Sequence, residues 1–328
     1  MLETNVVETR ANDPMQYLAE LPYTGRFYPM GFPADISTNS REVLEAALES
    51  WSVYQPRFDR PPVRMHVVVS EGSSERPPEP VLRGQEHLLA WMFDQENFSV
   101  LDRRQRFGFS VVTRATVADH VFFRWHFLEA VVLSLQELNY YTSLHAGCVA
   151  WEGSGVLLYG DSGVGKSTLS YACARRGWTY TSDDGTALLW GGGRIGIGES
   201  HHFRFRAEAQ ELFPELRGRT VGRQLDRKPT IEVYTADLDI RTAPDCRIDR
   251  IVFLSRDARA SASLRPLRPE EVEGRLRQDI PVFDPDLEEE RARTIASVAA
   301  LPAFELLYPS YEEAVRKLEE LVRGGEQL

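Results

Sequence analysis

A glycine-rich loop set between an apolar run and a helical run constrains this chain more than any other feature. Residues 160–168 read GDSGVGKST and satisfy the pattern G-x-x-x-x-G-K-[ST]. Residues 156–159 (VLLY) predict a strand before the loop, and the residues after it predict a helix that ends near Gly177. Glycines let backbone N–H groups turn toward a phosphate, and the helix N-terminus adds partial positive charge. The unit is therefore predicted to bind nucleotide phosphates.

The residue types in this loop predict individual roles. Lys166 is expected to contact the β- and γ-phosphates, and Ser167 or Thr168 is expected to ligate Mg²⁺. The predicted nucleotide contacts are Gly160, Ser162, Gly163, Val164, Gly165, Lys166, Ser167 and Thr168.

Two adjacent carboxylates follow the next predicted strand. Residues 178–182 (WTYTS) lead into Asp183 and Asp184. In a strand–helix–strand crossover the second strand runs parallel to the first, so both carboxylates are expected at the edge of the sheet where the phosphates lie. One carboxylate can then hold Mg²⁺ while the other accepts a proton from a hydroxyl nucleophile. The alternative is an Asp-Gly turn at Asp184 and Gly185, and both interpretations can hold together.

His145 is the third candidate of this site. Residues 145–151 and 156–159 are apolar runs joined by residues 152–155 (EGSG), which predicts a hairpin with a four-residue connection. If Trp151 faces Val156, His145 lies opposite Ser162, inside the loop. There it can contact a phosphate or polarise Asp183. The pair at 201–202 (HH) lacks a third spaced metal ligand and predicts a polar loop.

Composition narrows the class of protein. The 328 residues are 42% apolar and carry a net charge of −11, which argues against a nucleic-acid or anionic-membrane binder. No segment approaches the about 18 consecutive apolar residues of a membrane span. Three widely spaced cysteines are typical of reduced thiols in a cytoplasmic protein rather than of a disulfide framework.

Two domains are predicted at this length. Residues 1–140 carry a helix with Asn39 as its N-cap and its end near Trp51, a strand at 63–70, an antiparallel meander of three short strands up to Thr113 and a helix at 121–138. They therefore predict an α+β lobe, and acceptor recognition is the role expected of it. Residues 141–328 carry the loop, further strands and closing helices at 269–278, 287–300 and 311–322. The predicted class is α/β, α+β overall.

His145, the GDSGVGKST loop, the Arg176-Gly177 pair and the SDD segment together resemble the C-terminal catalytic domain of HPr kinase/phosphorylase, over roughly residues 143–255. The resemblance implies a P-loop kinase with a mixed-sheet fold related to phosphoenolpyruvate carboxykinase, with ATP and Mg²⁺ as cofactors. It implies Asp183 as catalytic base with His145 as its partner. It further implies that Lys166 clamps the phosphates, and that Ser167 and Asp184 contact Mg²⁺. Since members of that family are hexamers, the resemblance is compatible with a homo-oligomer.

Two segments differ from that family. Residues 196–206 (GIGESHHFRFR) and 222–230 (GRQLDRKPT) stand where the family has a Glu-Ile-Arg-Gly segment and a basic loop. Charged residues there are either solvated surface charges or contacts to the transferred phosphoryl group or the acceptor: Glu199, Arg204, Arg206, Arg227 and Lys228. The difference favours an acceptor other than HPr.

The sequence thus predicts a Mg·ATP-dependent kinase that phosphorylates a serine-type hydroxyl of a protein or peptide. Two alternatives stay open: a kinase for a small hydroxyl-bearing metabolite, and a regulatory switch that binds ATP without transferring phosphate. A switch needs the loop and a Mg²⁺ carboxylate, but it needs no base such as Asp183. Neither nucleic acid nor a membrane is expected as a partner.

Overall fold

The structure is a computed structural model that describes residues 19–72, 77–191, 193–219, 221–223, 229–278 and 285–324. The chain divides into two compact units, Met1–Gln136 and Glu137–Leu328. Helices combine in both units with sheets that mix parallel and antiparallel pairs. The expected α/β class with a mixed sheet is therefore confirmed.

The first unit contains a seven-stranded sheet among its described residues, in the order β1-β2-β3-β7-β6-β5-β4. The β2–β3 and β3–β7 pairs are parallel and the other pairs are antiparallel. Its strands are β1 (Tyr23–Phe27), β2 (Ala34–Thr38), β3 (Val63–Ser70), β4 (Val81–Gln85), β5 (Leu88–Met92), β6 (Phe98–Asp102) and β7 (Phe107–Thr113). The expected strand at 63–70 and the expected meander are both present.

Two helices of this unit differ from their predicted bounds. α1 (Arg41–Trp51) begins after Ser40 as its N-cap residue, one position beyond the expected Asn39. The Asn39 side chain instead donates to the Val69 carbonyl at 2.9 Å and accepts from the Val69 N–H at 2.8 Å, which ties it to β3. The expected helix at 121–138 is segmented by a π-helical turn. Its segments are α3 (His120–Phe123), the π-helical Arg124–Glu129 and α4 (Ala130–Glu137), and the separate α2 (Arg114–Ala118) precedes them.

The second unit is built on a larger mixed sheet in the order β17-β11-β9-β10-β18-β13-β12-β8, with β20 beside β18 and β19 beside β20. A separate antiparallel sheet has the order β14-β16-β15. The strands are β8 (Tyr141–Leu144), β9 (Ala146–Trp151), β10 (Ser154–Tyr159), β11 (Thr179–Ser182), β12 (Thr186–Leu189), β13 (Ile195–Gly198), β14 (His202–Arg206), β15 (Gly222–Arg223), β16 (Pro229–Tyr234), β17 (Arg241–Thr242), β18 (Asp245–Arg256), β19 (Ser263–Leu267) and β20 (Ala303–Tyr308).

Helices cover both faces of this sheet. One face packs against α5 (Lys166–Arg175) and α9 (Tyr311–Arg323) through a core that includes Leu158, Leu169 and Leu318. The other face packs against α7 (Pro269–Arg277) and α8 (Pro285–Ala299) through a core that includes Leu157 and Ile295. The short α6 (Ala209–Leu212) belongs to a third cluster beside β14 and β16. Since β10 is covered on both faces, its run of apolar residues is buried.

The hairpin between β9 and β10 corrects the expected register. Its connection has two residues, Glu152 and Gly153, with φ of 49° and 87°, and Trp151 pairs with Ser154. Two central residues with positive φ are typical of the tight turn that matches the twist of the strands. The expected four-residue connection is therefore wrong, and continuing the observed register places His145 opposite Gly160, not Ser162.

Candidate functional site

The glycine-rich loop lies between β10 and α5, as its pattern predicts. Gly163 and Gly165 have φ of 89° and 108°, a region that favours glycine, and Gly165 is the N-cap residue of α5. A Cβ atom on Gly165 would lie 2.6 Å from the Tyr311 hydroxyl oxygen. The loop therefore needs glycine at this position for both conformation and space.

Lys166 is the buried cation of the loop. Its Nζ donates to the Gly160 carbonyl at 2.8 Å and lies 3.2 Å from the Asp184 Oδ1. The Lys166 side chain is 7% exposed, while that of Asp184 is 59% exposed. The amine is thus held over the loop by one carbonyl and one carboxylate, at a position where it can exchange these partners for a phosphate.

A cavity of about 830 Å³ opens beside the loop, entirely within the second unit. It is wide enough for a nucleotide-sized ligand. Its lining residues are His145, Tyr159, Gly160, Asp161, Ser162, Lys166, Asp184, Arg206, Phe253, Leu254, Ser255, Arg275, Gln278 and Glu305.

The two aspartates reach this edge of the sheet as expected. β9 lies between β10 and β11 and is antiparallel to both, so β10 and β11 run in the same direction and end at the same edge. Asp183 and Asp184 directly follow β11. Asp184 lines the cavity and pairs with Lys166, whereas the cavity lining does not include Asp183.

Asp183 is half-buried among groups of the fold. Its Oδ2 accepts from the Arg204 backbone N–H at 3.1 Å. Its Oδ1 lies 3.4 Å from the Tyr180 hydroxyl, whose single proton has a shorter acceptor in the His202 carbonyl at 2.8 Å. Burial raises the pKa of Asp183 from 3.8 to about 6, and the charge of Asp184 adds to this effect. Oδ1 thus retains capacity to accept a proton.

His145 is exposed at the junction of β8 and β9 and lines the cavity. Within the described residues, no hydrogen bond or ion pair joins it to Asp183, whose contacts are to Tyr180, Arg204 and the backbone. The structure therefore brings His145 to the glycine-rich loop but does not pair it directly with the half-buried Asp183 carboxylate.

The charged residues of the 199–228 region lie in different parts of the structure. Arg206 lines the cavity. Arg204 lies behind Asp183, with its Nε 3.1 Å from Glu232 and its Nη1 3.7 Å from Glu199. Arg227 and Lys228 lie outside the described residues.

The histidine pair differs from the expected polar loop. His202 is 5% exposed at the start of β14, and its Nε2 lies 3.5 Å from the Glu199 Oε2. The described part of the chain contains no group of three or more His, Cys, Asp or Glu residues arranged to hold a metal ion. It also contains no helix long and apolar enough to cross a membrane.

Ser167 and Thr168 occupy the first turn of α5 and are half-buried. Mg²⁺ prefers oxygen ligands and commonly keeps several waters, so one hydroxyl and one carboxylate suffice beside substrate phosphates. The Ser167 and Thr168 hydroxyls at the start of α5 and the exposed Asp184 carboxylate are oxygen ligands of this kind, so they fit such an ion.

Two tyrosines that sequence analysis missed support the loop from the C-terminal segment. The Tyr308 hydroxyl donates to the Val164 carbonyl at 2.7 Å. Tyr311 lies against Gly165, and its hydroxyl accepts from the Arg256 Nη1 at 3.2 Å. No motif marks these residues, because they are distant from the loop in sequence: Tyr308 meets Val164 across 144 residues.

Replacing Tyr308 by Phe is expected to weaken nucleotide binding about 3- to 10-fold, because the Val164 carbonyl loses a buried partner and the loop conformation is less well held. Isothermal titration with Mg·ATP measures this change. Tyr234→Phe is the matched control, since Tyr234 is 50% exposed. Equal affinity of Tyr308→Phe and the control would contradict a positioning role.

A second set of residues missed by sequence analysis forms the far wall of the cavity. Tyr159, Phe253 and Glu305 lie in register on β10, β18 and β20. The Arg275 guanidinium lies 5.0 Å from the Phe253 ring centroid, and its Nη1 lies 3.3 Å from Glu305. This wall presents aromatic surfaces and a cationic surface against which a planar ligand can pack.

Comparison with known proteins adds a distant structural likeness. No family model matches this sequence, and no curated protein matches it. Among solved structures, the HPr(Ser) kinase/phosphatase from Coxiella burnetii is similar with 14% identity and a TM-score of 0.30, over 56% of this chain and 93% of that chain. At this identity and score, the likeness indicates neither a ligand nor an activity of this chain.

Proposed function

We propose that this protein is a kinase that transfers the γ-phosphoryl group of ATP to a serine-type hydroxyl of a protein or peptide. The observation that carries the proposal is the arrangement at one sheet edge. The glycine-rich loop, the Lys166–Asp184 pair and Asp183, with its pKa of about 6, follow two strands that run in the same direction. The specific P-loop kinase fold, related to phosphoenolpyruvate carboxykinase, is part of this proposal.

The loop binds and orients the phosphates. Backbone N–H groups of residues 160–165 and the N-terminus of α5 neutralise the phosphate oxygens, and Lys166 moves from the Gly160 carbonyl to the β- and γ-phosphates. Ser167 and Asp184 are the ligands that would hold Mg²⁺, which neutralises charge on the transferred group. His145 and Arg206 line the same cavity and supply further contacts to phosphate or acceptor.

Asp183 acts as the base in this proposal. The acceptor oxygen forms a bond to the γ-phosphorus while the bond from that phosphorus to the β–γ bridging oxygen breaks. The hydroxyl proton passes to Oδ1 of Asp183, and ADP leaves. A carboxyl group with a pKa near 6 is mostly ionised at neutral pH, yet it is a stronger base than an ordinary aspartate.

A regulatory switch is the second candidate, and one observation favours it. Asp183 does not line the cavity, and its Oδ2 is already bound to the Arg204 N–H. A protein that only binds nucleotide needs the loop, Lys166 and Asp184, all of which line or adjoin the cavity. The two candidates therefore differ in whether Asp183 meets an acceptor.

One experiment separates these functions. The protein is incubated with Mg²⁺, γ-labelled ATP and a cell extract, with Asp183→Asn in parallel, and labelled species are identified by mass spectrometry. Label on a discrete protein or peptide only with the wild type supports the proposal. Label on a metabolite supports a small-molecule kinase. Nucleotide binding without Asp183-dependent label overturns the kinase assignment in favour of the switch. The 1–136 unit is proposed to recognise the acceptor, and its deletion tests that role.

The pH dependence of transfer is expected to follow Asp183. Because burial raises its pKa to about 6, the rate is expected to fall about tenfold per pH unit below pH 6 as the base becomes protonated. A pH profile of kcat/KM checks this, with nucleotide affinity measured over the same range. His145→Gln is the control, since it removes the imidazole that lines the same cavity and leaves Asp183 in place. A flat profile between pH 7 and 5, or loss of the acid limb in His145→Gln, would contradict the assignment.

A further inference from the structure

Two of the three cysteines meet in the core beneath the candidate site. The Cys148 Sγ on β9 lies 3.2 Å from the Cys246 Sγ on β18, although 98 residues separate them in the chain. Cys148 is fully buried, and Cys246 is partly exposed. Cys173 is buried on α5 and belongs to a different core cluster.

The path of β18 explains why the two thiols meet across an intervening strand. Residues Asp245, Cys246 and Arg247 pair with β13, and β18 then pairs with β10 from Ile248 onward. At this change of partner the chain passes over Gly155 of β10. A Cβ atom on Gly155 would lie 2.9 Å from the Cys246 Sγ and 2.2 Å from the Arg247 carbonyl oxygen. The missing side chain at Gly155 thus leaves the space in which Cys246 approaches Cys148.

We propose that Cys148 and Cys246 form a modification site. Peroxides and related oxidants oxidise its two thiols to a reversible intramolecular disulfide. A disulfide requires an S–S distance near 2.05 Å, so the two sulfur atoms need to approach by only about 1.2 Å. Rotation of the two side chains can supply this movement. The proposal is independent of the proposed kinase function.

The chemistry assigns different roles to the two thiols. The hydrogen bond from the Cys148 thiol lowers the pKa of Cys246, with help from Thr181, while the same contact and burial raise the pKa of Cys148. The partly exposed Cys246 is therefore the thiolate that attacks the peroxide, giving a sulfenic acid and releasing hydroxide. The Cys148 sulfur then attacks the Cys246 sulfur and displaces water, so two thiols are oxidised while one peroxide is reduced.

The link would join strands that serve the cavity. Cys148 pairs with Leu157 of β10 and with Ser182 of β11, the residue before Asp183. β18 carries Phe253, Leu254 and Ser255 to the cavity wall. The oxidised form would therefore tie the strand that follows His145 to the strand that forms the opposite wall.

The chain offers a direct test, because trypsin places each cysteine on its own peptide: residues 125–166, 167–175 and 242–247. Reduced full-length protein is treated with hydrogen peroxide, blocked with N-ethylmaleimide, digested and analysed by mass spectrometry. The expected result is a linked pair of peptides 125–166 and 242–247, two hydrogen atoms lighter than their sum, which dithiothreitol separates. Loss of free thiol at Cys246 is expected to be on the order of tenfold faster than at Cys173.

Variants with a single cysteine replaced provide a further test of the proposed disulfide. Cys173→Ser is expected to keep the link, and Cys246→Ser is expected to leave Cys148 reduced. Oxidation of Cys246 that leaves Cys148 blocked by maleimide would overturn the proposal. So would a link that includes Cys173, a link between two chains, or unchanged thiols at all three positions. Because the wild-type digest decides the question, a variant that fails to fold does not affect it.

Discussion

Replacing Asp183 by Asn is expected to lower the rate of phosphoryl transfer by about 10²- to 10⁴-fold, because the acceptor hydroxyl loses its base. Nucleotide affinity is expected to change little, since Asp183 is not part of the cavity lining. The amide oxygen of Asn can still accept the Arg204 N–H, so the local fold is preserved. Single-turnover transfer with labelled ATP, together with nucleotide titration, measures both effects.

The matched control is Asp239→Asn, which neutralises an exposed aspartate outside the cavity. Transfer by Asp183→Asn at the rate of this control would remove Asp183 from the mechanism. Equal losses of transfer and of nucleotide affinity would mean that Asp183 maintains the site rather than acting as its base.

The same variant is expected to gain stability. The pKa of Asp183 is higher in the folded protein than in the unfolded chain. This group therefore favours folding fully below the ordinary value of 3.8, and the contribution is lost as the pH rises through about 6. At neutral pH the buried charge costs up to about 3 kcal/mol, which Asn does not carry. A higher Tm at pH 7.5 but not at pH 4 would separate loss of the base from misfolding.

Replacing Lys166 by Ala is the second large change. It removes the cation that lies 2.8 Å from the Gly160 carbonyl and 3.2 Å from Asp184, and it leaves the Asp184 carboxylate without its partner. Nucleotide affinity is expected to fall about 10- to 100-fold, and transfer at saturating nucleotide by about 10²- to 10³-fold. Titration with Mg·ATP and initial rates measure these two losses.

Lys317→Ala is the control for this change, because Lys317 pairs with Glu320 on α9 and does not line the cavity. If Lys166→Ala bound nucleotide as the control does, the glycine-rich loop would not be a phosphate site.

Much of the site could be predicted because its signals are local. The loop at 160–168 lies between β10 and α5 as its flanks predict, and the aspartates follow β11 at the same sheet edge. The three closing helices, α7, α8 and α9, begin and end within about two residues of their predicted bounds. The kinase roles of these residues remain predictions for the experiments above.

The register predicted for His145 is wrong for a physical reason. A tight turn at Glu152 and Gly153 replaces the expected longer connection, and it requires positive φ at Glu152, which is uncommon for a residue with a side chain. Turn length shifts the register of both strands, so a local error of two residues moved His145 from Ser162 to Gly160.

The sequence by itself determined the strand–glycine loop–helix unit, the α/β class and the paired carboxylates, because glycine conformation, apolar periodicity and strand direction depend on residues close in the chain. Only the tertiary structure decided which aspartate meets Lys166 and which is half-buried with a raised pKa. It also decided that Tyr308 supports the loop and that Cys148 meets Cys246. The last two contacts join segments that lie about 100 or more residues apart, and no short pattern in a single sequence encodes such contacts.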